Sequence, residues 1–127
     1  MLLTKAAILE SHDLQLETIE VPEWGGVVNV RVMSGLERDR WDGRLLDIDK
    51  TKSYDNLRAT LVAVTVCDSS GKRLFDDADI AALGNKSAAA LSRVYEAALR
   101  VNALTLASRE ELAKNSDPSP GDNSPSD

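Results

Sequence analysis

The chain has 127 residues, a formal net charge of −6, 43% apolar residues and 28% charged ones, the make-up of a single ordinary globular domain. The negative balance excludes general nucleic-acid binding, which needs a basic stripe to displace counterions. No apolar run approaches the ~18 residues that span a bilayer, and the lone Cys67 excludes an internal disulfide, which fits a reducing cytoplasm.

Met1–Leu9 is mildly apolar, but Glu10 follows at once and no small-residue cleavage site comes after it, so the segment is expected to be a helix or strand of the mature protein. Leu14, Leu16 and Thr18 alternate with polar neighbours before Ile19 and Val21 take the opposite phase, which predicts a strand with a bulge or twist near Thr18. Pro22 through Gly26 supplies a reversal, and Val28, Val30 and Val32 mark a second strand. An isolated hairpin is marginal in water, so it must pack on helices or on another subunit.

Ser34 stands three residues before Glu37, a capping box that starts a helix at Gly35 and carries it to about Ile48. Leu36, Trp41, Leu45 and Ile48 are assigned to its apolar side. Gly43 within it costs about 1 kcal/mol relative to alanine. Tyr54, Leu57, Leu61 and Val64 predict a second helix capped by Ser53. The β-branched run Val62–Val66 leaves open a second hairpin over 62–75. Asp68–Lys72 is a turn, Asp76 caps a short helix ending at Gly84, and Ser87 caps a last helix over 88 to about 112. From Asn115 onward only Asn, Ser, Asp, Pro and Gly remain, the composition of a disordered tail. The expected fold is α+β and mainly α-helical: an N-terminal β-hairpin packed on about four helices, one domain over 1–114 and a tail over 115–127.

No catalytic, cofactor or metal site is expected. His12 is the only histidine and sits in a polar setting, and Cys67 ends an apolar run with no cation beside it. Asp68, Asp76, Asp77 and Asp79 fail the calcium-loop spacing, because the fifth position from Asp68 is Lys72. Trp24 at the hairpin tip either folds back on the core or stands out as an anchor. Asn102, within the apolar surface of the last helix, is either solvent-facing or a buried polar residue that fixes a helix contact.

Three segments carry a family likeness. Trp24-Gly25-Gly26 with Val30-Arg31-Val32 and Gly35-Leu36-Glu37-Arg38-Asp39 is the first, and Asp68-Ser69-Ser70-Gly71-Lys72-Arg73-Leu74-Phe75 with Asp79 and Leu83 is the second. The third runs through Leu91, Arg93, Ala97, Ala98, Asn102 and Leu104. In that order they resemble the tail assembly chaperones of long-tailed bacteriophages. The resemblance implies a non-enzymatic protein of the host cytoplasm that binds the tape measure protein and helps recruit tail tube subunits. The alternative is a structural head–tail connector or minor tail subunit of the virion. It also implies partner contacts at Trp24, Arg31, Arg38, Trp41 and Phe75, and a homo-oligomer built through Tyr95, Ala98 and Asn102. Family members are often made in two lengths by ribosomal frameshifting, and the codons of Ala113-Lys114-Asn115 can hold the slippery heptamer A AAA AAC.

Overall fold

The computed structural model describes residues 1–104. The expected hairpin forms from β1 (Leu16–Val21) and β2 (Gly26–Arg31), antiparallel from Val21 opposite Gly26 to Leu16 opposite Arg31. A single 3-10 turn over Pro22–Trp24 closes it, and Gly25 at φ +76° takes the left-handed conformation that the reversal requires. The ladder runs without interruption, so the expected bulge at Thr18 is absent. The phase change has a simpler cause: Leu14 lies before the strand, Leu16 and Thr18 face outward, and Ile19 and Val21 face the core.

Ahead of the hairpin, Thr4 caps the short helix α1 (Lys5–Glu10) by accepting from the Ala7 N–H at 3.1 Å. After it, the Ser34–Glu37 capping box forms as expected and opens α2 (Gly35–Thr51), three residues longer than the pattern suggested. Helix α3 (Leu57–Thr65) starts later than expected. Lys52 at φ 61° ends α2 and Asn56 at φ 60° precedes α3, so two left-handed residues bracket the connector. Ser53 and Tyr54 therefore lie outside the helix, and Tyr54 is exposed.

Thr65 turns its hydroxyl inward to donate to the Leu61 carbonyl at 2.8 Å. The chain then passes directly into β3 (Val66–Cys67), which pairs antiparallel with β2. The sheet order is β1-β2-β3. Of the alternative second hairpin only a bridge between Cys67 and Arg73 exists. Asp76 and Asp79 form a second capping box on a 3-10 turn (Asp77–Asp79) that leads into α4 (Ile80–Gly84), and Ser87 caps α5 (Ala88–Val101).

The core lies where α5 and α3 meet the inner face of the sheet, built from Val21, Val30, Leu61, Val62, Val66, Val94 and Ala98. Two ion pairs fix α5 across the hairpin: Arg93 grips Glu23 with two bonds of 3.0 Å, and Arg100 meets Glu17 at 2.7 Å. The Arg93 bonds hold the Glu23 carboxyl below the usual carboxylate range. Both pairs lie near the surface, where such contacts set orientation more than stability.

Helix α5 stops earlier than expected. The Leu104 N–H reaches back to the Leu99 carbonyl at 2.7 Å and the Ala103 N–H to Arg100 at 3.1 Å, a Schellman stop with Ala103 at φ 55°. The rest of the expected helix, 105–112, and the expected tail lie outside the described residues. An alanine in this conformation is strained where glycine is not. Ala103→Gly is accordingly expected to stabilise the protein by about 0.5–1 kcal/mol, part of the relief being offset by the freer unfolded chain. Urea unfolding measures it.

Candidate partner-binding surfaces

Helix α2 presents two distinct faces to possible partners, because residues three, four and seven apart align on a helix. On its inner side Trp41 and Ile48 are buried and Leu45 packs against the core. Leu36, expected on this side, instead faces solvent with Gly43 and Leu46. At spacings of seven and three these three form one exposed stripe. Gly43 has open space where a Cβ would stand, so the stripe has a shallow notch between two leucines.

On the inner side a groove of about 560 Å³ runs between α2, α3 and the Asp77–α4 segment. Trp41, Val64, Ile80 and Ala81 give it an apolar floor, and Arg40, Arg44 and Arg73 stand along it. Arg73 is occupied by Asp77 at 3.3 Å and the Ala63 carbonyl at 3.0 Å. Arg44 donates to the Asp55 carbonyl at 2.8 Å, while its Nε is buried with no hydrogen-bond partner among the described residues. Arg40 is exposed and has no ion-pair partner among them.

The residues implied as partner contacts divide by location. Arg31 is buried and bound to Glu37 at 2.9 Å and to the Val32 carbonyl at 3.1 Å. Trp41 is 4% exposed and forms part of both core and groove floor. Trp24 and Phe75 are half-buried against the core, and Arg38 lies on the surface in an ion pair with Asp42. Of the residues implied in self-association, Ala98 is fully buried within its own chain and Tyr95 is half-buried beneath the Arg58 guanidinium. Asn102 has internal work: its Oδ1 accepts from the Met33 N–H at 2.7 Å, and its Nδ2 donates to the Arg31 and Ala98 carbonyls at 3.3 and 3.0 Å.

Glu37 holds the junction beside this groove. Burial pushes its carboxyl up, but the Arg31 guanidinium and the Ser34 N–H outweigh that, and the group ends below its ordinary value. Cys67 is buried, and burial pushes its thiol up. Among the described residues no cluster of His, Cys, Asp and Glu could hold a metal ion, and no helix is long and apolar enough to cross a membrane.

The model of the phage tail assembly chaperone family matches residues 3–115. The chain belongs to that family. The solved structure of the bacteriophage HK97 tail assembly chaperone is similar to it, with a TM-score of 0.56 and 22% identity, covering 76% of this chain and 89% of that one. At that identity the likeness establishes a shared fold. A comparison with curated proteins gave no match. The sequence resemblance to tail assembly chaperones thus holds at the level of the family and of its fold.

Proposed function

We propose that this tail assembly chaperone binds the tape measure protein along the outer face of α2, helps recruit tail tube subunits around it, and catalyses no reaction. The setting is the host cytoplasm during virion assembly. The observation that carries the reading is the stripe of Leu36, Gly43 and Leu46, with both leucines more than half exposed. Apolar side chains grouped on an exposed helix face are the surface that a long apolar client would cover. The glycine notch lets a second backbone approach closely, which gives Gly43 a use to set against its helix cost.

Co-expression with the tape measure protein tests this. The wild-type chain is expected to keep that protein soluble and to co-purify with it. Leu46→Lys is expected to lose both while keeping its own thermal stability, because the side chain is exposed and touches no core. Retained co-purification by Leu46→Lys would remove α2 as the binding face. Insoluble tape measure protein with the wild type would remove the function. A longer frameshifted product remains part of the same proposal, decided by the nucleotides at Ala113-Lys114-Asn115.

A further inference from the structure

The outer face of α2 is uncovered among the described residues. Leu36 and Leu46 stand 59% and 63% open, and the space where a Gly43 Cβ would sit is empty. At ~1.5 Å per helical residue, the stripe from Leu36 to Leu46 is about 15 Å long. A grouped apolar face of this kind marks an interaction site.

The described chain ends beside the start of that face. Asn102 accepts from the Met33 N–H at 2.7 Å and donates to the Arg31 carbonyl at 3.3 Å. Ser34 caps α2 immediately afterwards, so Leu36 lies in the first turn of the helix. Leu104 packs against the core only two positions past Asn102. Residues 105–127 continue from that point, and their large apolar side chains are Leu106 and Leu112 alone. The segment 105–112 has the reach required, about 12 Å as a helix and about 27 Å fully extended, which brackets the length of the stripe. Attachment adds to this. A segment tethered so closely meets the face at an effective concentration on the order of millimolar, so a contact of two leucines suffices.

We infer that residues 105–112 of the same chain lie along the outer α2 face, with Leu106 beside Leu36 and Leu112 beside Leu46, and that the tape measure protein displaces them on binding. The segment is then a strap that covers the stripe until the client arrives. It weakens client binding in proportion to the time the face is covered. Only the displacement step rests on the reading of α2 as the client face.

Paramagnetic broadening tests the contact without the client. A nitroxide carried at Ala113→Cys, with the native Cys67 buried, is expected to broaden the methyl signals of Leu36 and Leu46 in the full chain. Adding Leu106→Ser and Leu112→Ser is expected to restore them. Sharp Leu36 and Leu46 signals, or broadening that survives the serine pair, would overturn the strap. So would broadening of an isotope-labelled chain without nitroxide when it is mixed with a nitroxide-bearing one, since the occupant would then be a second copy. Displacement is read by co-expressing each chain separately with the tape measure protein. The complex of the serine-pair chain is expected to survive about tenfold greater dilution than that of the wild type, the gain for a face otherwise covered about nine-tenths of the time. Equal survival would overturn the displacement step. Failure of both chains to hold the tape measure protein would sink the proposed function, while the broadening still decides the strap.

Discussion

Replacing Glu37 by alanine is expected to cost about 3 kcal/mol of folding stability, an effect far larger than a glutamate in the first turn of a surface helix ordinarily carries. The Arg31 side chain is 6% exposed and that of Glu37 17%, and the two meet at 2.9 Å. Losing one member of such a pair leaves the other charge buried and uncompensated, which typically costs about 3–5 kcal/mol. Here the Arg31 Nε already lacks a partner among the described residues, so the guanidinium relies on Glu37 and the Val32 carbonyl. The same substitution opens the capping box, freeing the Ser34 N–H from Glu37 Oε1 at 2.9 Å. The pH dependence has a definite sign. The folded carboxyl lies below its unfolded value of 4.5, so its contribution is complete above that pH and is lost as pH falls through the folded value. Glu37→Gln keeps an acceptor for the cap, loses less stability than alanine, and lacks that acid-side slope. Urea unfolding of the three proteins across pH 3–7, a range that brackets ordinary carboxylate titration, measures both effects. A Glu37→Ala loss below about 1 kcal/mol, the scale of an exposed pair, would show that the charge is not buried in solution.

Trp41→Ala is expected to be at least as damaging, about 3–5 kcal/mol, the usual cost of removing a buried large aromatic. The indole belongs to the main core and is also the place where α2 joins it, since Leu36 and Leu46 face away. Calorimetry should therefore show a lower melting temperature, and amide exchange should show the loss concentrated in α2 while α5 and the sheet stay protected. Trp41→Phe keeps most of the contact and should recover most of the stability. If Trp41→Ala melts like the wild type, α2 does not dock through this residue.

Much of the fold was legible because its boundaries are chemical. Ser34 with Glu37, Asp76, and Ser87 announced three helix starts through side-chain oxygens placed to catch free backbone N–H groups. The boundaries that escaped notice depend on backbone conformations without a residue signature. Lys52, Asn56 and Ala103 are all left-handed, and neither lysine nor alanine marks that state as glycine does. The continuous run Leu61–Cys67 hid a change from helix to strand, because β-branched residues suit a buried position in either. Among the surfaces, the Trp41 side of α2 was visible in the pattern. The outer stripe was not, since Gly43 was weighed only as a cost and Leu36 was placed on the wrong side. The Arg31–Glu37 pair was hidden for another reason: it joins a strand to the following helix, where no periodicity applies. Asn102 was left open between solvent and interior; it is half-buried, with its amide turned inward into three hydrogen bonds.

That asparagine also decides how the domain would respond to being pulled. The chain leaves α5 through the left-handed Ala103, and one residue earlier the Asn102 amide is bonded both to α5 and to the β2–α2 junction. Tension applied beyond Leu104 would not peel the helix open one turn at a time. It would load bonds on two elements at once, and those must yield together. A load on that end would be shared between the last helix and the strand–helix junction through one side chain.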